Sequence, residues 1–140
     1  MRPPLHEVGE INMSTTEIGI SGIGQIQIRA GDVERAANFY ENVLGLKLLF
    51  KAPPGLAFFD CGGVRLMLER PAKAEFDHAS SILYFAVPDI RAAHARLKEK
   101  GVRFEDEPHM IVRMPDHDLW MTFFRDSEEN ILALMSEVKR

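Results

Sequence analysis

The feature that most constrains the fold of this chain is an internal duplication, in which a strand followed by a helix occurs twice. In each copy an apolar–polar alternation predicts a half-buried strand. The strand is followed by an N-cap residue, Asp32 or Asp89, and by an amphipathic helix that stops at Gly45 or Gly101. Two tandem copies of one unit predict a single α+β domain made of two similar halves.

Short strands follow both helices. In the first copy they lie in LKLLFKA, LAFFD and VRLMLER, separated by the turn sequences PPG and GG. The second copy opens with SILYFAV and the helix IRAAHARLKEK, and continues with VRFEDE, MIVRM, LWMTFFR and ILALMSE. The sequence therefore predicts two tandem βαβββ modules whose helices cover one face of curved sheets.

The same pattern sets the expected boundaries of the domain. Residues 1–22 lack a sustained period and are predicted to be a flexible leader. Residues 23–138 form the single domain, with module one over about 23–71 and module two over about 80–137. At 46% hydrophobic and 27% charged residues, the 140-residue chain has an ordinary globular composition and enough apolar material for a core.

Charge and hydropathy exclude several classes of function. A formal net charge of −4 does not suit a protein that binds nucleic acid or an anionic membrane. No apolar run approaches the roughly 20 residues that span a bilayer. The opening MRPPLHEVGE is too polar and too rich in proline for a secretory signal, and the single cysteine cannot form an internal disulfide. We therefore expect a cytoplasmic protein without a nucleic-acid or membrane partner.

Two segments resemble a known superfamily. GQIQIRAGDVERAANFYENVLGL is similar to the first-module opening of the vicinal oxygen chelate superfamily, which includes glyoxalase I, bleomycin-resistance proteins and extradiol dioxygenases. SILYFAVPDIRAAHARLKEKGVRF is similar to its second-module opening, so that the resemblance covers roughly residues 23–136. It implies a cup-shaped, half-open mixed β-sheet with the helices outside, and a homodimer. It also implies a divalent metal at the base of the cup, held by the first and fourth strands of each module.

The four implied metal positions depart from the family pattern of His or Gln, then Glu, His and Glu. They are occupied here by Gln25, Met67, Ile82 and Ala133. Ile82 and Ala133 have no donor atom, and a thioether suits soft ions such as Cu(I). Because a stable site needs about three protein donors, we expect no metal cofactor at these positions.

Strand alternation predicts which side chains line the cup. If Gln25 faces the cup, the lining combines amide, guanidinium, carboxylate, thioether and phenol groups, as pockets for small organic molecules do. The predicted ligand-binding residues are Gln25, Gln27, Arg29, Arg65, Met67, Glu69, Tyr84 and Met135. In the alternative interpretation the charged groups are solvated or paired, the two glutamines bond each other, and the methionines only pack.

The histidines and the cysteine point less clearly to chemistry. His94 is expected to be solvated on the outer surface of the second helix, and His6 and His78 to be exposed. The triplet of residues 116–118, Asp-His-Asp, would suit a metal or catalytic site, but the preceding proline favours a turn between strands. Cys61 has no basic neighbour that would activate its thiol.

Three functions are compatible with these observations. The first is a metal-independent protein of the bleomycin-resistance type that binds a flat or partly anionic organic molecule in the cup. The second is a glyoxalase-like lyase or dioxygenase-type enzyme. It would be metal-dependent through Glu69 and His109, or metal-free with Glu69 or Tyr84 as acid or base. The third is a non-catalytic structural homodimer. The missing donors favour the first function.

Overall fold

The computed structural model describes residues 18–140, so His6 and most of the predicted leader lie outside the described residues. The first module contains five elements: β1 (Gln25–Arg29), α1 (Val33–Asn38), β2 (Lys47–Ala52), β3 (Leu56–Cys61) and β4 (Val64–Glu69). The second contains β5 (Leu83–Ala86), α2 (Ile90–Glu99), β6 (Arg103–Phe104), β7 (His109–Arg113), β8 (His117–Arg125) and β9 (Ile131–Lys139). A short 3₁₀ turn, Ala74–Phe76, lies in the connection between the modules.

The strand order confirms the duplication. The first sheet has the order β1-β4-β3-β2 and the second has the order β5-β9-β8-β6. In both sheets the opening strand pairs in parallel with the last strand of its module, and the remaining pairs are antiparallel. Both sheets are open, as the predicted half-open cup requires.

The second module has one strand more than the first, because its edge strand is divided into two pieces, β6 and β7. β6 and β7 each pair with β8, at Phe104–Phe124 and at His109–Met121 respectively. Between them the Asp106 carboxylate accepts hydrogen bonds from the Thr122 hydroxyl at 2.8 Å and from a β8 backbone N–H. The two pieces therefore form one interrupted edge strand.

The predicted helix boundaries are confirmed by their caps. The Asp32 carboxylate accepts a hydrogen bond from Arg35 N at 3.0 Å, and the Asp89 carboxylate accepts one from Ala92 N at 3.1 Å. Gly45 and Gly101 have φ angles of 77° and 89°, a conformation that residues with a side chain rarely adopt.

The first helix differs from the expectation of one regular helix up to Leu44. Regular α-helical structure ends at Asn38, and Phe39–Val43 forms a wider π-helical turn in which Leu44 N donates to Phe39 O at 3.0 Å. Tyr40 lies in this turn, fully buried, and its hydroxyl donates to Asp126 of the second module at 2.7 Å. The wider turn thus orients Tyr40 towards a partner that periodicity along the helix does not reveal.

The core lies on the helix-bearing face of both sheets. The aliphatic residues predicted to face the helices are buried or partly buried there, including Ile28, Leu66, Leu68, Leu132 and Leu134. They form one continuous cluster with residues of α1 and α2, so the two modules share a single core. Within the described range, no helix is both long and apolar enough to cross a bilayer.

The turn between β8 and β9 joins the two modules through polar contacts. The Glu128 carboxylate, whose side chain is 1% exposed, accepts hydrogen bonds from Arg35 Nε at 2.7 Å and from Asp32 N at 3.0 Å. Asn130 Nδ2 donates to the Arg29 carbonyl at 2.8 Å. The Arg35 guanidinium stabilises the ionised carboxylate and lowers the pKa of Glu128 to about 2.

Because the Glu128 pKa is lower in the folded protein, its contribution to stability should be complete above pH 4.5 and disappear as the pH falls towards 2. The shift corresponds to at most about 3 kcal/mol. We expect Glu128→Gln to be less stable than the wild type at pH 7, with a difference that shrinks between pH 5 and pH 2. Chemical denaturation at several pH values measures this. A difference that did not change with pH would contradict the role assigned to the ion pair.

The prediction that His94 is solvated is wrong. His94 is only 6% exposed, because it lies with Ile90 and Leu97 on the buried face of α2. Its ring packs on Phe104 with centroids 4.2 Å apart. Among residues 18–140 its Nε2 atom has no hydrogen-bond partner, and it lies 3.9 Å from the nearest Glu107 oxygen. The imidazole is therefore a packing residue with one unsatisfied polar atom.

We expect His94→Leu to leave the free energy of unfolding unchanged or to raise it, because an unsatisfied buried polar atom costs about 1–3 kcal/mol. On the same helix face, Leu97→Ala should lower it by about 2–5 kcal/mol and serves as the comparison. Urea denaturation of the two variants tests this. A clear loss of stability in His94→Leu would show that the ring makes a polar interaction that the packing geometry does not contain.

Candidate ligand-binding site

The predicted cup residues of the first module share one face of the first sheet. β1 and β4 pair in parallel with Gln25 opposite Arg65, Gln27 opposite Met67, and Arg29 opposite Glu69. Because side chains alternate along a strand, all six point away from the helices. On each sheet, we call the face that points away from α1 and α2 the helix-free face.

Arg65 is the best-positioned charged group on this face. Its Nε donates to Gln25 Oε1 at 2.8 Å, and its guanidinium lies 5.3 Å from the centroid of the Phe58 ring. Phe58 stacks on Phe50 with centroids 4.5 Å apart. The two remaining guanidinium nitrogens make no hydrogen bond to any residue in the described range. Arg65 is thus held beside an aromatic surface with donors available for an anion.

The other polar groups of the first sheet have different surroundings. Arg29 is paired with Asp77 of the connection between the modules, as the alternative interpretation anticipated. Gln25 does not bond Gln27: its amide donates towards Met67 Sδ at 3.6 Å. For Glu69, which is half-buried, the structure shows no side-chain hydrogen bond or ion pair within residues 18–140.

The helix-free face of the second sheet is mainly apolar. Tyr84, Ala133 and Phe123 lie side by side on β5, β9 and β8, and the two rings meet edge to face at 5.8 Å. Ala133 between them is completely buried, whereas Tyr84 is 45% exposed. Met135 lies one pair further along, opposite Met121. A ligand on this side meets aromatic and thioether groups and one phenol.

The four implied metal positions do not fit a metal ion. Gln25 and Met67 are in contact, but Ile82 precedes β5 and lines a cavity together with Arg29, which lies at the opposite end of β1 from Gln25. Ala133 carries no donor and is covered by two rings. Across residues 18–140, the structure contains no group of three or more His, Cys, Asp or Glu side chains that could hold a metal ion.

The remaining candidates are not brought together into one centre. His109 has Asp106 as its nearest acid, at 4.0 Å, and does not pair with Glu69. His117 begins β8 after the predicted turn, with Nδ1 2.7 Å from Asp116, and that contact lowers the pKa of the Asp116 carboxyl. Burial raises the pKa of the Cys61 thiol, which keeps it protonated.

Three phenylalanines of the site, Phe50, Phe58 and Phe123, were not among the predicted residues. Phe50 and Phe58 share the helix-free face because β2 contains a register shift between Leu48 and Phe50. Simple alternation from Leu48 would have placed Phe50 on the opposite face. Phe123 could have been found from the alternation of LWMTFFR, in which Thr122 and Phe124 are the buried residues.

Comparison with known proteins gives the family. Residues 22–134 match the family model of the Glyoxalase/Bleomycin resistance protein/Dioxygenase superfamily. The chain belongs to this superfamily. An uncharacterized protein of Bacillus subtilis (strain 168), YraH, is 27% identical over 126 residues, which are 79% of this chain and 94% of YraH.

Solved structures show the same fold. TnmS3, an antibiotic-binding protein from Streptomyces sp. CB03234, is 26% identical with a TM-score of 0.69, over 84% of this chain and 97% of TnmS3. Lactoylglutathione lyase from Agrobacterium tumefaciens is 24% identical with a TM-score of 0.66, over 84% of this chain and 94% of the lyase. At that identity the likeness to the lyase is one of fold.

We expect the purified protein to carry no stoichiometric transition metal at Gln25, Met67, Ile82 and Ala133, because these positions supply one good donor. Elemental analysis of the wild type and of Gln25→Ala tests this, and the two proteins should have the same metal content. A stoichiometric Zn, Ni, Mn or Fe ion that is lost in Gln25→Ala would contradict the donor argument.

Proposed function

We propose that this protein binds a flat, partly anionic organic molecule on the helix-free faces of its sheets, without a metal. The observation that carries the proposal is the placement of Arg65, which is fixed by Gln25 against the Phe58–Phe50 stack. Phe58 is only 8% exposed and Phe50 is 47% exposed, so a planar ring system would lie on Phe50 while an acidic group accepts hydrogen bonds from the guanidinium.

The second sheet supports the same ligand chemistry. Its apolar face offers Tyr84, Phe123, Met121 and Met135, which suit the uncharged part of such a molecule. The Tyr84 hydroxyl makes no hydrogen bond to the described part of the chain, so it is available as a donor. The likeness to TnmS3, an antibiotic-binding protein, is consistent with a binding role.

Arg65→Ala should weaken binding of a planar aromatic carboxylate, such as 2-naphthoate, by at least tenfold. A charge-assisted hydrogen bond contributes about 1.5–3 kcal/mol, and tenfold corresponds to about 1.4 kcal/mol. The matched control is Arg70→Ala, which removes an exposed arginine just beyond β4. Isothermal titration calorimetry measures the affinities, and thermal denaturation should give nearly equal midpoints. Equal loss of affinity in both variants would contradict the proposal.

Tyr84→Phe provides a second, independent test. The phenol is half exposed and has no hydrogen bond within residues 18–140, so its removal should leave the melting temperature unchanged. Binding of 6-hydroxy-2-naphthoate should weaken, because the ring hydroxyl of this acid loses a hydrogen-bond partner. If the melting temperature fell as much as the affinity, the hydroxyl would have a structural role instead.

We further propose that the protein acts as a homodimer. Met110, Ile111 and Val112 on the edge strand β7 are each 42–46% exposed. An apolar, unpaired strand edge is usually covered by another chain. Sedimentation equilibrium should give a mass near twice the 15.9 kDa of the chain. A single species of 15.9 kDa at tens of micromolar would refute the dimer.

A further inference from the structure

We infer that a groove between the two modules, on the helix-bearing side, is a second binding site that takes an aliphatic carboxylate. The groove has a volume of about 640 Å³. Its walls are the end of the first helix (Val43–Leu46), the β3–β4 turn, the edge of β5 and one face of α2. Its size and its place between two structural units are typical of small-molecule sites.

The groove lies mainly on the helix-bearing side and meets the helix-free face at Tyr84, where it passes the edge of β5. Cys61, Phe85 and Leu134 point to the helix-bearing side of their strands, where they adjoin the shared core. Arg65 and Phe58, which carry the proposed function, do not line it. Because Arg65 lies outside the groove, Arg65→Ala distinguishes occupancy of the groove from occupancy of the helix-free face of the first sheet.

The floor and walls of the groove are apolar. Leu97 and Leu134 at its base are 9% and 3% exposed, and Leu44, Leu46 and Val87 are partly buried around them. The Cys61 thiol stays protonated because burial raises its pKa, and it adds a weakly polar wall without a charge. Such a surface favours an alkyl chain over a polar ligand.

The charged side chains that line this groove within residues 18–140 are both cations. Arg96 lies on α2 and Lys100 lies one turn later, at the C-cap of that helix, and no Asp or Glu of the described residues lines the groove. Arg96 has no ion pair in the described part of the chain, and Lys100 Nζ donates only to the neutral Asn42 carbonyl at 3.1 Å. Cations are common near a helix C-terminus. Here, however, two cations without a neighbouring acid lie beside an apolar groove, and this arrangement suits the charged head and the chain of an alkyl carboxylate.

The other large cavities have a different lining. The cavity beside Pro53–Gly55, about 880 Å³, carries Asp32, Glu34 and Glu69 together with two cations. The cavity beside Arg29, about 600 Å³, combines cations with Asp77, Glu128 and Glu129. In both, three acids stand against two Lys or Arg side chains, so neither lining carries a surplus of positive charge. The groove at α2 differs in having positive charge alone against an apolar wall.

The test uses sodium decanoate and the double variant Arg96→Gln/Lys100→Gln. By calorimetry we expect decanoate to bind the wild type and to bind the double variant at least tenfold more weakly. Lys98→Gln, which removes an exposed cation of α2 outside the groove, should bind like the wild type. Decyltrimethylammonium should not bind, because it has the same chain length and the opposite charge.

Cys61 supplies a second readout that reports the groove itself. Decanoate should slow the reaction of Cys61 with N-ethylmaleimide in the wild type but not in the double variant. Ala93→Phe, which fills the groove from α2, should reduce both binding and protection. No decanoate binding, equal affinity in the double variant, or loss of binding in Arg65→Ala would overturn the inference. So would protection of Cys61 that depends only on protein concentration, since that would show a second copy covering the groove.

Discussion

The contact on which the arrangement of the two modules depends is the buried hydrogen bond from the Tyr40 hydroxyl to Asp126. The same carboxylate accepts bonds from the backbone of Glu128 and Asn130, so it orders the turn that carries the ion pair to Arg35. Burial and the nearby carboxylate raise the pKa of the Tyr40 hydroxyl well above its usual value and keep it a donor. Burying a carboxylate costs free energy unless hydrogen bonds replace those that it made with water. Here the Asp126 oxygens accept such bonds from Tyr40, Glu128 and Asn130.

Local patterns in the sequence were sufficient to predict most of the fold. Asp32 and Asp89 cap equivalent helices, Gly45 and Gly101 end them, and the alternation of GQIQIR and VRLMLER places Arg65 on the correct face. Each of these features depends on residues a few positions apart. The duplication predicts that the two halves share one strand order, and the sheets do so, although the order itself is known only from the structure.

Contacts between residues far apart in the sequence were not predictable in the same way. Asp126 binds Tyr40 across 86 positions, and nothing in the local pattern of either segment indicates that partner. The register shift in β2 moves Phe50 onto the face of Phe58, and a strand pattern read alone does not show such a shift. His94 was misplaced although its spacing from Ile90 and Leu97 is that of a buried helix face. For His94 the helical spacing indicates the burial correctly, whereas the polar residue type does not.

The aromatic pair over Ala133 also limits how this protein can change. A glutamate at that position would supply the donor that other members of the superfamily use, but its side chain would occupy the space in which the Tyr84 and Phe123 rings meet. The rings would have to separate, which exposes apolar surface, before the new carboxylate could reach an ion. Substitutions at the three positions are therefore epistatic. The two aromatic rings thus add further replacements to those that Met67 and Ile82 already require before a metal site could form.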